Sequence, residues 1–236
     1  MMEFKWIEKY YQDKHLSNYL LRNINFKIND GEFVKIKRPS GNSKSDLLYV
    51  FGLLNVESAS EYVFYDESIK KMNKKRFQEL YNSKVGFIFK KHFLINEFTV
   101  YENIEAPLIY QNVNSSERKK RITQILKKFN LLSKKDLFPN QLSRYEQQKV
   151  SIARAIISNP KIIVADEPLA NLDQIQSNSV MELLSELNKK GTTIVMASKA
   201  KYSGFGEKEI HLSKDQIVTE NSNEKFYAKH NVIFIR

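Results

Sequence analysis

Cysteine is absent from the 236 residues. That excludes a disulfide framework and fits a reducing compartment. No run of 18 or more apolar residues occurs, which excludes a membrane-spanning helix. The start, "MMEFKWIEKYY", lacks an apolar stretch of signal-peptide kind, so the expected location is cytoplasmic. Glycine is scarce, at seven residues. Acidic charge is outnumbered: 38 Lys and Arg against 27 Asp and Glu give a formal charge of +11. A basic balance can serve nucleic acid, an anionic membrane surface or polyphosphate ligands. The one dense cluster, "RKKR" at 118–121, falls on a helix pattern with no interleaved aromatic residues to stack on bases. A solvated basic face is therefore the reading, and no nucleic acid is expected as partner.

Apolar residues make up 42% of the chain, enough for a sizeable core. "NINFKINDGEFVKIK" (24–37) alternates apolar and polar residues around a DG turn, which predicts a β-hairpin. "KSDLLYVFGLL" predicts a helix with Leu47, Leu48, Phe51 and Leu54 on one face. "VGFIF" (85–89) reads as a strand. "SERKKRITQILKKFNLL" (116–132) reads as an amphipathic helix with Ile122, Ile125, Leu126 and Phe129 inward. "KIIVA" (161–165) and "TTIVMA" (192–197) are continuous apolar runs, as buried parallel strands require. Between them, "SVMELLSELNKKG" (179–191) predicts a helix with Val180, Leu183, Leu184 and Leu187 inward and Gly191 as its stop. This alternation predicts an α/β fold with a mainly parallel sheet.

The stretch "RPSGNSKSDLL" (38–48) lies between a strand and a helix. A phosphate-binding P-loop reads G-x-x-x-x-G-K-[ST]. Lys44 and Ser45 stand at its lysine and hydroxyl positions, while Arg38 and Ser43 replace its two glycines. Backbone N–H groups near Ser40 and Gly41 and the helix N-terminus would face phosphate oxygens. Lys44 would add charge there and Ser45 would hold Mg²⁺. A left-handed serine at 43 would cost ~1–2 kcal/mol. Asp46 adds a carboxylate in the first helical turn, where an anion should be welcome. Weak nucleotide binding follows. Farther on, Asp166 and Glu167 directly follow a buried strand. Ligands of open α/β sheets bind beyond the carboxyl ends of strands. There an Asp can hold Mg²⁺ and its neighbour can orient or activate water.

The order and spacing of these parts resemble the nucleotide-binding subunits of ABC (ATP-binding cassette) transporters over nearly the whole chain. "NQLSRYEQQKVSIARAIISNPKIIVADEPLANLD" (140–173) is similar to that family's signature segment, Walker B strand and D-loop. "VGFIFKKHFLINEFTVYENIEAPLIY" (85–110) is similar to its Q-loop region, and "GTTIVMASK" (191–199) to its switch strand. The pattern is nearest the branch serving lipoprotein release, macrolide export and cell-division permeases. The resemblance implies a P-loop NTPase core, residues 1–90 and 151–236, with an N-terminal antiparallel part and an inserted helical lobe at 91–150. It implies ATP and Mg²⁺ as ligands and an integral membrane permease as partner, the chain being peripheral at the inner face of the membrane. It also implies a homodimer, or a heterodimer with another ABC ATPase subunit. By position, Tyr11 would stack on adenine. Ser40, Gly41, Lys44 and Ser45 would bind the nucleotide, Ser45 and Asp166 the metal, and Glu167 would be catalytic.

Several positions depart from that pattern. Lys90 stands for the Q-loop glutamine, Lys199 for the switch histidine, and Arg144, Tyr145 and Glu146 for the last three residues of the L-S-G-G-Q signature. Arg144 and Tyr145 would bring bulk where phosphate approaches. "SRYE" is also a Ser-x-x-Glu capping box, so Glu146 is expected to turn back on its own helix. Losing one preorganised donor costs ~10²–10³ in rate, so weak or absent hydrolysis is expected. A non-catalytic pseudo-ATPase, acting as a regulatory or dimerisation partner, is the alternative reading.

Overall fold

The computed structural model describes residues 2–13, 16–37, 43–198, 208–213 and 216–220. Its elements in chain order begin with β1 (Met2–Asp13), β2 (Leu16–Ile28), β3 (Phe33–Lys37) and α1 (Ser43–Phe51). Next come β4 (Ala59–Phe64), β5 (Glu67–Ser68), α2 (Lys74–Lys84) and β6 (Val85–Ile88). Three helices follow, α3 (Val100–Tyr110), α4 (Ser115–Lys128) and α5 (Arg144–Ile156). The chain then forms β7 (Ile162–Asp166), α6 (Gln174–Lys189), β8 (Thr193–Ala197), β9 (Lys208–Ser213) and β10 (Gln216–Glu220).

Two sheets result. One is antiparallel, in the order β2-β1-β4-β5; the other has the order β10-β9-β3-β8-β7-β6. In the second, β9, β3, β8, β7 and β6 are mutually parallel and only β10 runs against its neighbour. The α/β fold with an N-terminal antiparallel part is thus present, and helices α3 to α5 lie between β6 and β7 in the chain.

The hairpin predicted at 24–37 does not form. The DG turn is there, with Gly31 at φ +76° and the Glu32 N–H donating to Asn29 O at 3.3 Å. Its two strands, however, enter different sheets: β2 pairs with β1, while β3 lies between β8 and β9. Turn chemistry fixes a reversal but not a partner. A strand whose Phe33, Val34 and Ile36 are all buried is better placed inside the parallel sheet.

Alternation along each central strand divides the core into two faces. Val34, Ile36, Ile162, Val164, Val195 and Ala197 point one way, against α1 and the antiparallel sheet through Leu47, Phe51, Met2 and Phe64. Phe33, Ile163, Ala165, Ile194 and Met196 point the other way, against α3 to α6 through Ile104, Ile122, Ile152 and Leu184. A period of two in the side chains makes this division automatic. Each Val, Leu, Ile, Phe or Met side chain among them contributes roughly 1.5–3 kcal/mol on leaving water. Leu54 departs from its expected face. Helix α1 stops at Phe51, Leu53 turns to φ +60°, and Leu54 is exposed. The helix predicted over 116–132 ends sooner, at Lys128, because Asn130 takes φ +54°. Helix α6 starts five residues before 179, capped by Asp173, whose carboxylate accepts from the Gln176 N–H at 2.8 Å.

Candidate functional site

Parallel strands place their carboxyl ends on one edge. Ile36 and Asp166 both stand level with Ala197, and Ile88 stands level with Ala165. Four connections therefore leave the sheet side by side. After β3 the chain runs through 38–42 into α1; after β8 comes Ser198; after β7 come Asp166 and Glu167; after β6 come Phe89 and Lys90. This is the edge at which ligands of open α/β sheets bind.

Asp166 is buried, 5% exposed, as the last residue of β7. Glu167 has φ +47°, a left-handed backbone in a residue that carries a side chain. Its N–H donates to Ala197 O at 2.9 Å, and its carbonyl accepts from the Ala170 N–H at 3.0 Å. Such a residue costs on the order of 1–3 kcal/mol and persists only where the surroundings impose it. The bonds to Ala197 and Ala170 are that imposition, and they aim the chain sharply out of the sheet.

Lys44 and Ser45 lie in the first turn of α1, with Ser43 and Asp46. Strand β3 is thus followed in the chain by helix α1, with residues 38–42 between them outside the described residues. Tyr11 lies on β1 opposite Asn18. Arg38, Ser40, Gly41 and Lys199 lie outside the described residues. Lys90 is exposed in the turn after β6.

The signature position is built differently from the expectation of outward bulk. Ser143 caps α5 in a complete capping box. Its Oγ accepts from the Glu146 N–H at 3.3 Å, and its own N–H donates to Glu146 Oε2 at 2.9 Å. The hydroxyl also donates to that oxygen at 2.9 Å. Lys134 pairs with the other carboxylate oxygen. The Lys134 hydrogen bond, then the Ser143 N–H, hold the Glu146 carboxyl down to about 2. Both oxygens are therefore engaged within the chain. Tyr145 also turns inward. Its ring packs with the second core cluster, and Lys149 Nζ lies 5.1 Å from its centroid while donating to Phe129 O at 2.8 Å. Burying the ring explains the inward turn. Only Arg144 stays exposed.

Lys134 had no sequence signal. It is twelve residues from Glu146, at the end of one short 3₁₀ turn, Leu132–Lys134, with a second, Pro139–Gln141, in between.

A parallel sheet with β3 leading to α1 at one carboxyl end and an acidic pair at another is the frame of a P-loop-type nucleotide-binding fold. Residues 21–170 match the ABC transporter family. An uncharacterized ABC transporter ATP-binding protein of Methanocaldococcus jannaschii is 38% identical over 220 residues, 92% of this chain and 98% of its own. The macrolide export ATP-binding/permease protein MacB of Campylobacter jejuni is 35% identical over 213 residues, 90% of this chain and 33% of its own. Among solved structures, the ATP-binding cassette MJ0796, in a dimeric post-hydrolysis state bound to ADP and Pi, superposes with a TM-score of 0.84. It is 34% identical, with 92% of this chain and 96% of that one covered. The chain belongs to the ABC transporter family, as an ATP-binding domain.

Proposed function

We propose that this chain is the ATP-binding subunit of an ABC transporter, coupling nucleotide binding to a separate membrane permease, with hydrolysis slow or lost when it acts alone. The observation that carries the second half is Glu146, closed onto Ser143 and Lys134. A helix N-terminus attracts an anion through its unpaired N–H groups and its dipole. Here one of those N–H groups and a carboxylate already satisfy each other. A phosphate arriving from a partner would meet a negative charge in the place of a donor.

In this reading Lys44 and Ser45 hold the phosphates, with backbone at Ser40 and Gly41, and Tyr11 lies against adenine. Asp166 and Ser45 serve Mg²⁺. Among the described residues no cluster of three His, Cys, Asp or Glu side chains could hold a metal alone. That donor set fits Mg²⁺, which is commonly held by one or two carboxylates together with substrate phosphates and water. Bound Mg²⁺ would supply charge neutralisation at the phosphates. Glu167 would accept a proton from water or orient it.

A permease partner is supported by the MacB likeness and by an apolar patch just beyond Lys90. Phe93, Ile95 and Phe98 are 58%, 39% and 38% exposed, more than a solvent-facing loop needs. No helix among the described residues is long and apolar enough to cross a membrane. The reading places the chain at the cytoplasmic face of its permease, as one unit with a lobe at 91–150, paired with itself or with another ABC ATPase. Calorimetric titration with Mg²⁺–ATP is the test. Wild type should give measurable heats and Lys44→Ala none. Equal heats from both would remove the loop from the account. Absence of binding to wild type would favour the pseudo-ATPase that acts only as a regulatory or dimerisation partner.

A further inference from the structure

Arg154 lies in the last turn of α5, at the far end of that helix from the signature residues. Its guanidinium donates from Nη1 to Phe93 O and from Nη2 to His92 O, each at 2.8 Å. Ser151 Oγ adds a longer bond, 3.4 Å, to His92 O. Among the described residues no carboxylate lies within ion-pair distance of Arg154, although burial lowers its pKa, an effect that Tyr81 opposes. A partly buried cation answered by carbonyls alone is a poor stability device. A planar fork held on two successive carbonyls is a good positioning device.

The turn it grips is strained. His92 and Phe93 are consecutive side-chain-bearing residues with φ +60° and +45°. The His92 N–H donates to Phe89 O at 3.0 Å and the Phe93 N–H to Lys91 O at 2.7 Å. Phe89 stacks on Phe87 at 4.2 Å and meets Phe93 edge-on at 5.1 Å. Left-handed backbone persists where neighbours impose it. Burial of the His92 ring lowers its pKa, and a side-chain hydrogen bond with Gln148 opposes that shift. The contact with α5 is thus held through Arg154 and Ser151.

Lys90 is the second residue of this turn, directly beyond β6, on the sheet edge where Asp166 and Glu167 emerge. We propose that Arg154, with Ser151, is a positioning residue for Lys90: it locks the turn to α5, so that the turn after β6 and the signature helix move as one body. Only the effect on ATP, in the second test below, rests on the nucleotide reading.

Hydrogen exchange on the nucleotide-free chain tests the lock. Arg154→Lys keeps the charge and loses the fork. Exchange at the His92 and Phe93 amides should rise about tenfold, the size expected from losing charge-assisted hydrogen bonds, while β7 amides stay as in wild type. Wild-type exchange at both amides overturns the proposal. Should Arg154→Lys fold poorly, Ser151→Ala gives the same readout at smaller amplitude, and no change there counts against the lock equally. The second test is a double-mutant cycle on Mg²⁺–ATP affinity. If Arg154 acts through Lys90, Arg154→Lys shifts the dissociation constant severalfold in the Lys90 chain and not in the Lys90→Ala chain. Equal shifts in both backgrounds, or none in either, overturn it. If wild type binds no ATP, the nucleotide reading fails, and the exchange result alone decides the lock.

Discussion

Glu146 turns its carboxylate back on its own helix, and that single choice shapes the chemistry of the signature end. Ser143 and Lys134 between them occupy both carboxylate oxygens. Ser143→Ala removes the cap and should cost about 1 kcal/mol of stability, read from the midpoint of urea unfolding. An undiminished midpoint would mean that the cap is idle. The pH dependence has a definite sign. The folded carboxyl titrates near 2, below its ordinary 4.5. Its contribution is fully present above 4.5 and is lost as pH falls from 4.5 toward 2. Glu146→Gln should flatten the stability curve in that window relative to wild type. An unchanged slope would show that the pairing with Lys134 and Ser143 does not hold in solution. The Ser-x-x-Glu spacing made the cap legible in the sequence, because capping boxes are local. Lys134 was not legible, because its approach depends on how two 3₁₀ turns fold. Arg154 was not legible either, because its partners are backbone carbonyls, which leave no mark on residue type.

Among the elements, β6 and α5 make the contact that joins the sheet to the helical segment. Gly86 permits it. A Cβ there would lie 2.3 Å from Ala155 O and 3.0 Å from a Pro160 ring carbon. Neither backbone nor a proline ring can swing aside, so Gly86→Ala should destabilise by about 1–3 kcal/mol through overpacking. The check is a lowered denaturant midpoint at constant slope. A wild-type midpoint would show that the two elements are farther apart than described. The strands were readable where burial alone decides, as in the unbroken apolar runs of β7 and β8. They were misread where pairing decides. The DG turn after β2 is local chemistry, whereas the partners of β3 come from β8 and β9, more than 150 residues later. Acidic residues at the end of β7 were legible from Asp166 and Glu167 following an apolar run. The left-handed backbone of Glu167 was not, since no glycine or asparagine marks it.

At the scale of the whole molecule, one sheet edge collects an ABC-type set of connections, while the signature end of α5 is satisfied from within. In the proposed function, nucleotide binding would use the helix after β3, the buried Asp166 and the left-handed Glu167. In the same reading, Lys90, Lys199 and Arg144 to Glu146 stand where catalysis across a dimer would need other side chains. Such losses do not add simply, yet one displaced donor already removes ~10²–10³ in rate. Binding and hydrolysis separate in one measurement, steady-state ATP turnover by the purified chain alone with Mg²⁺. The account predicts a rate at least a hundredfold below ~1 s⁻¹. A rate of ~1 s⁻¹ or above, abolished by Glu167→Gln, would contradict it.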